Sequence, residues 1–227
     1  MNKLEIIYQD EHLVAINKPH GLLVHRSNIA AEADEFALQI LRDQLRAYVH
    51  PVHRLDRKTS GLLLFALDAA TAAALQAAFA AKQIAKRYLA IVRGYFPTTI
   101  TLDYALTNDR QKKQEAITHF RCLKTTELPI PFGKHTTSRY SLIEAIPETG
   151  RQHQIRKHCS HLQHPIIGDR PHGCNKQNRL FKERWQMMRM LLHAADLQLQ
   201  HPRTAEDLHL TAAVSPTFER MQQILQL

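Results

Sequence analysis

The chain has 227 residues, of which 44% are apolar, enough for one large domain or two small lobes with a real core and too many for a disordered chain. Lys and Arg outnumber Asp and Glu by 30 to 21, a formal net charge of +9 with 15 histidines besides, which favours a polyanionic partner. No apolar run reaches the ~18 residues of a membrane span, the N-terminus has no signal-peptide core, and three cysteines are too few and odd in number for a disulfide framework, so a cytoplasmic protein with reduced thiols is expected.

In chain order, residues 4–8 and 12–16 alternate as two strands about the Asp10-Glu11 turn, a hairpin. Pro19 and Gly21 mark a turn after Asn17-Lys18, and Leu22 to His25 suggests a short strand. Residues 34–47 have helical spacing, with Asp34 as N-cap and Phe36, Ile40 and Leu41 on one face. The loop from His53 to Ser60 runs into the apolar stretch 61–67, a buried strand. Asp68 then caps an alanine-rich helix through Thr71, Leu75 and Phe79. Residues 86–94 alternate as a central strand with Tyr88, Ala90 and Val92 on one face. The polar stretch 101–115 suggests a mobile loop or short hairpin. Two more strands follow at 116–125 and 138–146, split by the breakers of 128–134. A turn at 147–150 leads into a helix reaching about Leu162, and 164–169 is a loop. Residues 170–189 are polar and strongly basic. Strands at 190–199 and 208–210 and a helix at 216–226, striped by Phe218, Met221 and Leu225, close the chain. Strands and helices mix without regular βαβ alternation, which makes the fold class α+β.

The most informative stretch is His53-Arg54-Leu55-Asp56-Arg57-Lys58-Thr59-Ser60-Gly61, where one carboxylate sits among three cations ahead of a buried strand. Neighbouring cations favour the ionised form, and an ionised carboxylate in a basic groove can act as a nucleophile on an anionic substrate. The competing explanation is a surface Asp in an ordinary ion pair with Arg54 or Arg57. His53 suits a supporting role, and Thr59 and Ser60 suit turn formation, because no His–Asp relay lies near them to activate a hydroxyl. His153, His158, Cys159, His161 and His164 cluster, yet lack the paired spacing of a zinc site, so no metal is expected. Imidazoles beside phosphates are the better use for them.

Taken together, 53–61, Lys86-Arg87-Tyr88-Leu89-Ala90 and Thr149-Gly150-Arg151-Gln152-His153-Gln154-Ile155-Arg156, with Asn17-Lys18-Pro19 before and Leu192-His193-Ala194 after, resemble the RluA-type pseudouridine synthases over nearly the whole chain. The resemblance implies a mixed, mainly antiparallel sheet flanked by helices around a central catalytic cleft, in a single catalytic domain spanning 1–227 with no separate N-terminal RNA-binding domain. It implies an enzyme that detaches uracil from C1′, turns it and rejoins it through C5. That isomerisation adds and removes nothing, so it implies no cofactor. By the same resemblance Asp56 is the nucleophile, Tyr88 stacks on the base and assists loss of the C5 proton, and Arg156 pairs with Asp56. Ile155 walls the base pocket and Arg54 faces the RNA. A core tyrosine, a core isoleucine and surface arginines are the plainer explanations of the same positions. The opening residues, Leu23-Val24-His25-Arg26-Ser27, and the pairing of 136–140 with 164–169 are closest to the branch acting on tRNA uridine 65, although 103–115 is short for that branch. RNA is thus the expected partner, in a monomer with no obligatory protein partner and no membrane. The alternatives are the same chemistry on rRNA, or on both rRNA and tRNA, and a non-catalytic RNA-binding or RNA-folding module.

Overall fold

The computed structural model describes residues 3–25 and 35–227. In chain order the elements are β1 (Glu5–Gln9), β2 (Leu13–Lys18), α1 (Ala37–Leu45), β3 (His50–Pro51), β4 (Ser60–Ala66), α2 (Ala69–Ala80), β5 (Ala85–Arg93), β6 (Thr99–Asp103), β7 (Leu106–Thr107) and β8 (Lys113–Gln114). They continue with β9 (Ile117–Leu128), β10 (Ser138–Pro147), α3 (Gln154–His161), α4 (Asn175–Trp185), β11 (Leu192–Gln200), β12 (Asp207–Thr211) and α5 (Pro216–Leu225). The chain forms two compact units, the first made of 1–86 with 194–214 and the second of 87–193 with 215–227.

In the first unit β1 and β2 form the expected hairpin, with Ile6 opposite Ile16 and a bulge before Tyr8. Asp10 fixes the turn: one carboxylate oxygen accepts from the His12 and Leu13 amides, and the other from the Tyr8 hydroxyl. β2 pairs antiparallel with β4 from Leu13↔Ala66 to Lys18↔Gly61. Every residue of β4 is buried, as its unbroken apolar run implies. β12 returns on β11 with Leu197 opposite Leu210. The core gathers Leu13, Leu62, Leu64, Leu75, Ile84 and Leu197. Helix α2 begins as expected, with the Asp68 carboxylate accepting from Thr71 N–H and Thr71 Oγ1.

In the second unit the order is β5, β10, β9, β6, with every pairing antiparallel. Ala90, Val92, Phe120, Ile143 and Ala145 from the sheet pack with Ile155 and Cys159 of α3. Helix α5 buries Phe218, Met221 and Leu225, the expected stripe, and starts at Ser215, whose hydroxyl accepts from Phe218 N–H.

Several expectations need correction. Helix α1 has Phe36 at its N-cap position, which supplies no side-chain cap, and Asp34 lies outside the described residues. Leu22 to His25 is not a strand: Leu23 makes one isolated parallel bridge to Phe36. The 101–115 stretch contains the end of a paired strand, β6, because Ile100 and Leu102 pack against the core, followed by the small β7–β8 hairpin. The polar region 170–189 contains the helix α4, whose buried side rests on only Gln177 and Phe181, too little apolar periodicity to announce it. The mixed, mainly antiparallel α+β architecture stands.

Candidate active site

Asp56 occupies a turn of the first unit that is pinned through its main chain. Its carbonyl accepts from Thr59 N–H at 3.0 Å, closing the turn, and the next carbonyl, of Arg57, accepts from Gly21 N–H at 2.8 Å. Arg57 returns the bond, its Nε donating to Gly21 O at 2.9 Å. Lys18, fully buried at the end of β2, sends Nζ to the carbonyls of Pro19, Leu22 and Arg57 at 3.0, 2.9 and 3.2 Å. Three ammonium protons thus meet three carbonyls. Burial pushes the Lys18 pKa down to about 7, against the pull of the Asp56 carboxylate, which favours the charged form.

Behind the turn, Leu55 on one side and Thr59 and Ser60 on the other are buried, leaving Asp56 half-buried between exposed Arg54 and Arg57. His53 is a structural support: its Nε2 accepts from Leu64 N–H at 2.9 Å and its ring stacks on Phe79 at 4.6 Å. Burial, aided by the Lys86 charge, pushes its pKa down to about 3, so it stays neutral with Nε2 as acceptor. Gly61 is required by its position. Its φ is +108°, and a Cβ there would sit 2.1 Å from the Ala194 carbonyl oxygen.

The other named residues lie in the second unit. β5 places Tyr88 opposite Ala145, half-buried against the cluster that contains Ile155. Ile155, 6% exposed, is part of that core. The 149–156 segment is held by a saturated network. Gln154 Oε1 accepts from Thr149 Oγ1 and Arg151 N–H, and its amide nitrogen donates to Ile117 O and Thr118 Oγ1. Thr149 Oγ1 in turn accepts from Ile117 N–H. His158 is buried in the same network, between Thr118 Oγ1 at 2.9 Å and the Tyr104 carbonyl at 3.1 Å, and burial lowers its pKa. Its ring nitrogens are thus occupied by the fold.

Arg156 is 4% exposed and forms a two-pronged pair with fully buried Asp169, Nε to Oδ2 and Nη2 to Oδ1, both at 2.8 Å. Asp169 ends the 164–169 loop, a segment that carries part of the family resemblance but gives Asp169 no role of its own. Gly168 (φ +82°) turns the chain into it, and a Cβ at Gly173 would meet its carbonyl oxygen at 1.8 Å. A signal was available: a Gly-Asp pair directly after the apolar Ile166-Ile167 places a carboxylate at the edge of the core, where a carboxylate needs a cation.

Asp56 thus lies on a backbone-tied turn of the first unit between two exposed arginines, and Tyr88 and the buried Arg156 lie in the second unit. Among the described residues no group of three or more His, Cys, Asp or Glu could hold a metal ion. The family model described as RNA pseudouridylate synthase matches residues 12–161, which include Lys18, Arg54, Asp56, Tyr88, Ile155 and Arg156. The chain belongs to this family and is a pseudouridine synthase, an isomerase. Its relatives include proteins called tRNA pseudouridine synthase C from Vibrio parahaemolyticus serotype O3:K6, 44% identical over 96% of this chain and 94% of that one, and from Yersinia pestis, 46% identical over 92% and 86%. Among solved structures, Human RNA Pseudouridylate Synthase Domain Containing 4 aligns with a TM-score of 0.76 at 26% identity over 98% of this chain and 93% of that one. Domain Containing 1 aligns at 0.75 and 23%, over 99% and 95%, a likeness of fold.

Proposed function

We propose that this synthase converts a uridine of tRNA, uridine 65, to pseudouridine, with Asp56 as nucleophile and the whole chain acting as one catalytic domain. The observation that carries the nucleophile is the Asp56 turn itself: three main-chain and side-chain ties hold its backbone while the carboxylate stays half-buried beside the Lys18 ammonium. A nucleophile must be placed to within fractions of an ångström, and ties on the turn's backbone favour such placement. The relatives called tRNA pseudouridine synthase C support tRNA as the substrate.

The reaction breaks N1–C1′ and forms C5–C1′. A proton leaves C5, another is gained at N1, and Asp56 is released unchanged after a transient bond to the nucleoside. The uridine must first leave its stack, at a cost of roughly a few kcal/mol. Tyr88 offers a ring for the extracted uracil and a phenol for the C5 proton. Ile155 contributes apolar surface, and Arg54, exposed next to Asp56, contacts the RNA backbone. Arg156 supplies the cation that pairs with the Asp56 carboxylate.

The test is tritium release from 5-tritiated uridine in separate tRNA and rRNA transcripts. The wild type is expected to act on tRNA, and Asp56→Ala to lose at least about 10⁴-fold in rate with its fold intact. Release from rRNA alone would remove the substrate assignment, and an active Asp56→Ala would remove the nucleophile.

A further inference from the structure

Helix α4 is charged in a way that the chemistry above does not use. Its buried side carries Gln177 and Phe181. Asn178 binds it to the loop that holds Arg156: the amide nitrogen donates to Asp169 O at 2.7 Å and the amide oxygen accepts from Gly168 N–H at 2.9 Å. The solvent side shows Lys176, Arg179 and Lys182 at three-residue spacing, with exposed Arg170 before the helix and Arg189 after it. Glu183 is the single acid between residues 170 and 191.

Exposed arginines elsewhere lean on acids, Arg42 on Asp43, Arg139 on Glu127 and Arg203 on Asp68. Among the described residues, the side chains of Lys176, Arg179 and Lys182 make no hydrogen bond or ion pair. Like charges three apart on one helix repel each other, a cost that an anion binding across them would offset. From Lys176 to Lys182 the helix rises about 9 Å, which matches a few successive phosphates of a nucleic-acid strand.

We propose that the exposed face of α4 is a docking surface for the phosphate backbone of the substrate RNA. This rests on the reading that structured RNA is the substrate. The helix is well placed for the role, because its opposite side buttresses the Asp169 loop and so keeps a fixed relation to Arg156.

The experiment compares the full chain with the Lys176→Ala/Arg179→Ala/Lys182→Ala variant, using tRNA transcripts across a salt series. Alanine suits an exposed helix, so an unchanged thermal midpoint is expected and is checked by circular dichroism. The variant should raise KM on the order of tenfold at 0.1 M salt and flatten the slope of log affinity against log salt by about 2 to 3. Lys176→Arg/Arg179→Lys/Lys182→Arg should restore the wild-type values, because a phosphate contact needs charge rather than shape. Arg42→Ala, in α1, should leave KM where it was. An unchanged KM and slope in the triple alanine variant would overturn the proposal and leave an acidic protein as the reason for the charge. Direct titration against tRNA and rRNA separates the two readings: a wild type that modifies only rRNA defeats the substrate assignment while the surface is still tested on that RNA.

Discussion

The Asp56 turn of the first unit and the Arg156–Asp169 pair of the second are held in place by different means. Around Asp56 the ties run through the main chain: carbonyls 56 and 57 accept, Gly21 N–H and Thr59 N–H donate, and Lys18 reaches in as a shared donor. Around Arg156 the ties run through side chains, with Asp169 gripping the guanidinium, while Gln154, two residues before it, bonds to Thr149 and Thr118. The Asp56 turn is thus placed by ties to its backbone, and Arg156 by ties to its own guanidinium.

The sharpest way to break this contrast is to remove the grip on Arg156. Asp169→Ala leaves a buried guanidinium without the carboxylate that neutralises it. Losing one member of a buried pair costs about 3–5 kcal/mol, because the surviving charge stays desolvated. Urea unfolding should show that loss with an unchanged slope. A cost under ~1 kcal/mol would mean that water or another carboxylate takes over, and that the side-chain grip is not what holds the arginine.

On the other side of the comparison the weak point is a glycine rather than a charge. Gly61→Ala puts a methyl 2.1 Å from the Ala194 carbonyl oxygen and asks alanine to hold φ at +108°. Steric overlap and the unfavourable dihedral together should cost about 2–4 kcal/mol. Gly61 also pairs with Lys18 in the register of β2 with β4, so a shift there disturbs that pairing. Activity should fall with stability, because the displaced backbone is the one that carries the Asp56 turn. A variant as stable and active as the wild type would show that the turn is not set by the β4–Ala194 approach.

Much of this was legible from residue order alone, for physical reasons that differ by element. The β1–β2 hairpin, β4 and α5 carry strong alternation, an unbroken apolar run or a 3.6-residue stripe, and α2 carries its own cap in Asp68. Helix α4 was hidden because Asn-Lys-Gln-Asn-Arg-Leu-Phe-Lys-Glu-Arg-Trp anchors itself with little apolar surface and a polar core residue, Gln177, that bonds to buried Tyr140. Asp56, Tyr88 and Arg156 stood out through motif wording. Lys18 and Asp169 lie in segments that the motif wording also marks, but their bonds appear only when the chain folds back: Lys18 bonds to Arg57, 39 residues on, and Asp169 to Arg156, 13 residues back. Local patterns report on elements, whereas the partners that orient a catalytic group come from elsewhere in the chain.

The smallest and most diagnostic effect is expected at Lys18. Lys18→Met keeps the length of the side chain and removes Nζ, leaving the carbonyls of Pro19, Leu22 and Arg57 without that donor. Each lost bond costs stability, but removing a buried charge returns part of it, for a net loss of about 1–2 kcal/mol near neutral pH. The pH dependence separates the two terms. In the folded protein Lys18 titrates near 7, against 10.5 for an ordinary lysine. Below pH 7 both states carry the ammonium and the full desolvation cost is present. Between pH 7 and about 10 the folded state sheds the proton first, the unfolded state binds more protons, and stability gains from this residue as pH rises. The wild type and Lys18→Met should therefore be closest in stability below pH 7 and draw apart above it, read from urea midpoints at each pH. Parallel curves would mean that Lys18 keeps its proton throughout, held by Asp56 and the three carbonyls more strongly than burial opposes it.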